Sequence, residues 1–303
     1  MYELIRSNKR RSALLVAGFA LFVIAVCIAV GYLLGGGSIA VIVISILVGA
    51  GVAAASYWSS DKIALTMSRA KPADPREYAR LHNLVEGLCI ASGLPKPAVY
   101  VIDDPAPNAF ATGRNPRHAA IAVTTGLLDT MNRVELEGVV AHELSHIRNY
   151  DILISTLAVT MVGSIALLSD LAIRAMWWNG GRERRSGDHA DHRNPLAFLG
   201  FALLIVGPIV ARLMQAAISR QRESLADVSA CQMTRYPPGL IAALEKLQED
   251  RTATHSASTA TAHLWIEQPM SGLGNDKGHL SKPHGWFDTH PPLEERIALL
   301  REL

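Results

Sequence analysis

The chain is poor in charged residues, in cysteine and in aromatic side chains. Charged residues make up 18% and aromatic residues 6% of its 303 residues, and the formal net charge is +2. So small a net charge argues against a nucleic-acid-binding protein, which needs a basic surface to contact the phosphate backbone. No paired cysteine framework is apparent, which suits a reducing compartment; the three cysteines are Cys27, Cys89 and Cys231.

Apolar side chains are abundant, and they are concentrated in long runs. Residues 13–34 form an uncharged run after several basic residues, and residues 38–58 form a second run beyond a Gly-Gly-Gly turn. Each run is long enough to cross a bilayer as a helix, so the two predict a transmembrane hairpin with its basic N-terminus in the cytoplasm. A cleaved signal peptide is the alternative for the first run, but the apolar region is longer than a signal peptide needs.

Two further apolar segments, residues 152–171 and 195–214, predict transmembrane helices 3 and 4. The connection between them, residues 177–194, contains four arginines, and the positive-inside rule conflicts with placing it outside the cell. If the residues on either side of this region build one site, they must lie on the same side of the membrane. The region therefore crosses the membrane twice or not at all.

Residues 142–146 read H-E-L-S-H, the pattern H-E-x-x-H. Residues four apart lie on one face of an α-helix, so His142 and His146 can bind one metal ion while Glu143 lies beside them. Asn132, followed three residues later by Glu135, predicts the cap at which this helix begins. The motif predicts a zinc-dependent hydrolase.

A hydrolytic zinc ion needs three protein ligands, and we predict Glu223 as the third. Residues 219–227 are typical of a helix, which places Glu223 and Asp227 one turn apart on one face. Asp227 could then orient a ligand histidine and fix its tautomer. An E-x-x-x-D pair by itself is more typical of a solvated helix face, but the upstream motif favours the metal ligand.

The segment before the motif predicts an α+β domain. A helix is expected from Asp74-Pro75 to Gly93, and short strands at residues 98–102 and 119–124, with an edge near the metal. That edge would either bind an extended peptide through main-chain hydrogen bonds or be a plain structural hairpin. After Asp250, polar residues through Gly285 predict a mobile loop, and its histidines are interpreted as solvated.

Several stretches, taken in order, resemble the HtpX-type membrane zinc metalloproteases, which are related to the endoplasmic-reticulum C-a-a-X prenyl protease. They are the N-terminal hairpin, residues 108–113 (N-A-F-A-T-G), 142–146 (H-E-L-S-H), 219–227 (S-R-Q-R-E-S-L-A-D) and 289–292 (T-H-P-P) with Arg296. The resemblance covers nearly the whole chain. It implies a mainly helical α+β membrane protein whose zincin-like domain, of the gluzincin type, carries a small β-sheet.

The resemblance also implies a role for each matched residue. One zinc ion per chain would be bound by His142, His146 and Glu223, with Glu143 as the base and Asp227 as support. Asn108 and Ala109 would contact the substrate backbone on an edge strand. His290, which by itself would be a helix-capping residue, becomes an active-site residue, and it and Arg296 would lie near the oxyanion or the metal.

The domain organisation expected from these features has four parts. Residues 1–58 form the transmembrane hairpin, 59–151 the first part of a cytoplasmic metalloprotease domain, 152–214 the second hydrophobic hairpin, and 215–303 the part with the third ligand. The resemblance implies cleavage of damaged or misfolded membrane proteins at the cytoplasmic face of a bacterial inner membrane, as part of a stress response.

Two alternatives to this function remain open. A site-specific protease of prenylated proteins would need a larger chamber of membrane helices than at most four spans can enclose. A non-enzymatic membrane scaffold that keeps the motif would be favoured if Glu143 or a ligand were missing, and none is.

Overall fold

The computed structural model describes residues 10, 13–14, 16–28, 38–160, 220–250, 252–257, 261–267 and 291–303. Over these residues the protein is mostly helical and contains a small mixed β-sheet. The helices are α1 (Val16–Ile28), α2 (Ile39–Met67), α3 (Ala79–Ser92), α4 (Thr125–Thr130), α5 (Arg133–Arg148), α6 (Asp151–Thr160), α7 (Arg220–Thr234), α8 (Pro237–Glu249) and α9 (Leu293–Arg301). A short 3-10 helix covers Ala262–Leu264.

The sheet has four strands in the order β1-β2-β4-β3. They are β1 (Lys71–Pro72), β2 (Ala98–Ile102), β3 (Ala109–Asn115) and β4 (His118–Thr124). Strands β2 and β4 are parallel, whereas β1 pairs antiparallel to β2 and β3 antiparallel to β4. This order leaves β3 as an edge strand and confirms the strands expected at residues 98–102 and 119–124.

Both faces of the sheet are buried, because alternate side chains of β4 enter two different hydrophobic clusters. Ala119, Ile121 and Val123 pack in the cluster that contains α3, α5, α8 and α9. Ala120 and Ala122 pack on the opposite face. Because successive side chains of a strand point to opposite faces, β4 packs against two layers of the protein, one on each side of the sheet.

The opposite face of the sheet is covered by the end of α2 and by the segment after residue 260. Ala64 and Leu65 of α2 pack there with Phe110 and the fully buried Trp265. The rings of Phe110 and Trp265 meet edge to face, with centroids 4.9 Å apart. The expectation of a mobile loop after Asp250 is thus wrong for residues 261–267, because Trp265 fills this side of the core.

Helix α2 is the single helix among the described residues that is long and apolar enough to cross a membrane. It has 29 residues and continues to Met67, well past the boundary expected at residue 58. Its middle packs closely on α1: a Cβ added at Gly49 would lie 2.9 Å from the Cα of Ile24. Most of the second hydrophobic hairpin, residues 161–214, lies outside the described residues.

Helix α5 begins as the sequence predicts. The Asn132 side chain accepts hydrogen bonds from the backbone N–H groups of Val134 and Glu135, at 2.9 and 3.0 Å. The Glu135 carboxylate in return accepts from the Asn132 N–H at 2.8 Å, which completes a capping box. Lys246 of α8 donates to the same carboxylate at 2.7 Å, so the cap also joins two helices.

Helix α3 begins later than expected, at Ala79 instead of near Asp74. The Asp74 carboxylate accepts from the N–H groups of Arg76 and Glu77, at 2.8 and 3.2 Å. These bonds have the pattern of a helix cap, as the sequence predicts for Asp74. Residues 75–78 nevertheless form turns, and the regular helix starts only after them.

Gly138 allows the backbones of α5 and α8 to come into direct contact. A Cβ at this position would lie 2.7 Å from the Leu240 nitrogen, whereas a Cβ at the exposed Gly87 of α3 would meet no atom within 4 Å. We expect Gly138→Ala to destabilise the protein by about 1–3 kcal/mol through overpacking. Gly87→Ala, the matched control, should stabilise it by up to about 1 kcal/mol through helix propensity. Thermal unfolding in detergent would measure both, and an unchanged melting temperature for Gly138→Ala would contradict the close approach.

Candidate metal centre

Two packed helices build the site. Helix α5 carries His142 and His146 one turn apart, and α7 crosses it so that Glu223 faces both. The Nε2 atoms of His142 and His146 are 3.1 Å apart. Oε2 of Glu223 lies 3.6 Å from Nε2 of His142, and Oε1 of Glu223 lies 3.5 Å from Nε2 of His146. His142 and Glu223 are almost completely buried, and His146 is partly buried.

These three distances fit a tetrahedral zinc ion. With metal–ligand bonds of about 2.0–2.1 Å, the ligand atoms of a tetrahedral site lie about 3.3 Å from one another. Two imidazole nitrogens and one carboxylate oxygen are also a donor set that zinc prefers, and they leave a fourth position open. His142, His146 and Glu223 can therefore hold zinc without a rearrangement of the helices.

Asp227 fixes the orientation of His142. Its Oδ1 lies 2.8 Å from Nδ1 of His142, so this nitrogen donates and Nε2 presents its lone pair to the metal position. Arg296 of α9 donates to both carboxylate oxygens of Asp227, from Nε at 2.8 Å and from Nη2 at 2.7 Å. Burial alone would raise the pKa of Asp227, but Arg296 and His142 outweigh it and lower the pKa to about 2.

A second carboxylate, Asp151, lies beside His146. Its Oδ2 is 3.4 Å from Nδ1 of His146, and its Oδ1 is 3.7 Å from Nε of Arg222. Asp151 was not among the residues predicted from the sequence, because helical spacing pointed only to the carboxylate one turn from the third ligand. An acidic residue just after the end of the H-E-x-x-H helix was the available signal.

Glu143 is buried next to the two histidines, with 2% of its surface exposed. Burial raises the pKa of its carboxyl group, against the opposing influence of His142 and His146. A carboxylate with a raised pKa is a better proton acceptor near neutral pH than an exposed one. Glu143 thus has the position and the environment of a general base.

Asn108 and Ala109 lie at the start of the edge strand β3 and contact a later part of the chain. The Asn108 amide donates to the main-chain oxygen of Glu267 at 3.0 Å, and its Oδ1 accepts from the Glu267 N–H at 3.3 Å. The Ala109 carbonyl accepts from the Ile266 N–H at 2.9 Å, and the Ile266 carbonyl accepts from Arg296 at 3.3 Å. Ile266 therefore connects this edge to the charged cluster.

The structure brings together six of the residues singled out from the sequence. These are His142, Glu143, His146, Glu223, Asp227 and Arg296. Asn108 and Ala109 lie on the adjacent strand edge, and Arg296 contacts Asp227 directly. His290 lies outside the described residues.

Zinc binding should release a proton in the neutral pH range. Burial lowers the pKa of His146, but the carboxylates of Glu223 and Asp151 outweigh this and raise the pKa to about 9. Without a metal the imidazole is protonated below that pH, and zinc requires it unprotonated. The pKa of His142 is raised as well, because burial and Arg296 are outweighed by Asp227 and Glu223. We therefore expect the apparent affinity for zinc to rise by at least about tenfold per pH unit below about pH 9. Competition with a chelator of known pH dependence would measure this, and a constant affinity between about pH 6 and 8 would contradict it.

Comparison with known proteins identifies the family. Residues 75–303 match the model of Peptidase family M48. A protease HtpX homolog of Caldanaerobacter subterraneus is 45% identical over 303 residues, covering 100% of this chain and 98% of the relative. Another protease HtpX homolog, from Streptococcus uberis, is 40% identical over 305 residues, and the match covers 100% of both proteins.

Among solved structures, Ste24p from S. mikatae shares the fold. The TM-score is 0.52 at 18% sequence identity, and the match covers 99% of this chain and 67% of Ste24p. At that identity the likeness concerns the fold alone. The family match over residues 75–303 and the full-length relatives show that the chain belongs to peptidase family M48, with the HtpX-type proteases.

Proposed function

We propose that this protein is an integral membrane, zinc-dependent endopeptidase that cuts misfolded or damaged membrane proteins at the cytoplasmic face. Membership of the metalloprotease family M48 supports the general activity. The observation that carries the proposal is the cluster of His142, His146 and Glu223: the two Nε2 atoms are 3.1 Å apart, and each lies within 3.6 Å of a Glu223 carboxylate oxygen. Glu143, buried beside this cluster, supplies the base that hydrolysis requires.

When bound, zinc would supply a water of lowered pKa and polarise the scissile carbonyl group. The remaining chemistry falls to the protein. Glu143 accepts a proton from the attacking water and then donates it to the leaving amine. Its buried position favours both steps, because its raised pKa lets the carboxyl group exchange a proton near neutral pH.

Arg296 holds the site together from the C-terminal helix. Its bidentate contact with Asp227 fixes the carboxylate that orients His142. Arg296 Nη1 also lies 4.0 Å from the Glu223 carboxylate, so one guanidinium group faces both acidic residues of α7. We assign His290, on its motif alone, a place near the oxyanion or the metal.

An extended substrate would pair with the edge of β3. Ala109 already makes a main-chain hydrogen bond with Ile266, and the Asn108 side-chain amide bonds to the main chain of Glu267. Both contacts use only main-chain atoms of the bound segment, so they would accept many substrate sequences, as the removal of damaged proteins requires. Substrate would need to reach this edge beside, or in place of, residues 266–267.

The membrane arrangement proposed here keeps the four parts expected from the sequence, at residues 1–58, 59–151, 152–214 and 215–303. Helix α2 supports the first hairpin through its length, its apolar surface and its packing on α1. Because its C-terminal end packs on the sheet, the catalytic domain lies directly at the membrane surface. The basic N-terminus supports a site in the cytoplasm, and the resemblance to bacterial HtpX-type proteases supports an inner membrane.

Mutation should distinguish the role of Glu143 as the base from that of Glu223 as a zinc ligand. We expect Glu143→Gln to keep one zinc ion per chain and to lower casein cleavage by at least about a hundredfold, because only the proton acceptor is lost. Glu223→Ala should lose the metal as well. Glu137→Gln, a partly buried glutamate on the same helix, is the matched control and should change neither. Zinc content and cleavage would be measured together in detergent; cleavage at the wild-type rate by Glu143→Gln would remove that residue from its role.

The second hairpin can be tested by cysteine labelling in sealed inside-out vesicles, with Cys27, Cys89 and Cys231 replaced. If residues 152–214 cross twice, single cysteines in residues 177–194 should be protected from an impermeant reagent added to the cytoplasmic face. A cysteine at the exposed Glu86 of α3 should be labelled in the same vesicles. Labelling of residues 177–194 from the cytoplasmic face would exclude two full crossings.

A further inference from the structure

The two ligand histidines of α5 are each placed next to a carboxylate, but in different ways. Asp227, which supports His142, lies one turn from Glu223 on α7 and is already part of the proposed site. Asp151, beside His146, comes from a different element, the start of α6. Its carboxylate is 96% buried, so its contact with Nδ1 of His146 is made away from bulk water.

The backbone turns to bring Asp151 to this position. If α5 continued, Asp151 would lie about 140° around the helix from His146 and would point away from it, at about 100° per residue. Instead α5 ends at Arg148, and Tyr150 adopts φ +61°, a left-handed conformation rare for a bulky side chain. This turn starts α6 with the Asp151 carboxylate facing back toward His146.

Asp151 also faces the helix that carries the third ligand. Its Oδ1 lies 3.7 Å from Nε of Arg222, which directly precedes Glu223 in α7. One carboxylate thus contacts a histidine of α5 through one oxygen and faces α7 through the other. An aspartate with only a helix-starting role would need neither contact.

We propose that Asp151 is a positioning residue for the metal centre, which accepts a hydrogen bond from Nδ1 of His146 and thereby directs Nε2 toward the metal. The inference rests on the proposed zinc site and extends it. Asp151 would support His146 as Asp227 supports His142. Because the Asp151 contact is longer, 3.4 Å against 2.8 Å, its loss should weaken the site less than the loss of Asp227.

The test is zinc affinity of the full-length protein in detergent, measured by chelator competition, with the absorption spectrum of the cobalt-substituted protein as a second readout. Asp151→Ala should lower zinc affinity about 10- to 100-fold and shift the cobalt bands. Asp151→Asn keeps the size of the side chain and an acceptor oxygen, so it should retain the wild-type melting temperature without metal and lose less affinity. Asp227→Ala should lose more than Asp151→Ala.

Asp104→Ala is the matched control. Asp104 is equally buried and accepts hydrogen bonds from the N–H groups of Ala106 and Ser256, and neither partner is part of the metal site. This variant should lower the melting temperature while zinc affinity stays within about twofold of the wild type. If Asp151→Ala also lowered only the melting temperature and left zinc affinity unchanged, Asp151 would have only a structural role. That result would overturn the inference, while the proposed function would stand. A wild-type protein that binds no zinc would overturn the function as well.

Discussion

The rest of the site depends on the balance of buried charge. Among the described residues, four carboxylates and two guanidinium groups surround the imidazoles of His142 and His146; they belong to Glu143, Asp151, Glu223, Asp227, Arg222 and Arg296. Isolated charges are costly to bury, so each must have a counter-charge. When the imidazoles are neutral and all four carboxylates are ionised, two negative charges remain, and a divalent cation would balance them. The raised pKa of His146 expresses the same constraint, because a proton compensates part of this charge when no metal is bound.

This balance explains why distant parts of the chain are needed. The histidines come from α5, the third ligand from α7 and the guanidinium group of Arg296 from α9. Arg296 is 1% exposed and makes its closest contacts with Asp227, so the C-terminal helix completes the electrostatics of a site formed far earlier in the chain. A buried ion pair of this kind loses its stabilisation if either partner is removed.

The sheet connects this site to helix α2. One face of β4 packs against the layer that contains α5, and the other packs against the end of α2 and against Trp265. A single layer of β-sheet therefore separates α5 from the end of α2. Residues 266 and 267 follow Trp265 along the edge of β3, where we propose that substrate binds.

Features that depend on local geometry were predictable from the sequence. The four-residue spacing of His142 and His146 places them on one helix face, Asn132 and Glu135 mark the start of α5, and alternating side chains indicate the strands. The family resemblance added Arg296, though not its contact with Asp227.

Contacts that depend on chain turns and on packing between distant segments became known only from the folded structure. The Asp151–His146 contact depends on the left-handed turn at Tyr150, because a continuous helix would point Asp151 away from His146. The Asn108 side-chain amide donates to Thr254 and Glu267, more than a hundred residues away in a segment whose polar composition predicted a loop. Periodicity describes one element at a time, whereas the pairing of buried polar groups is fixed when the elements pack together.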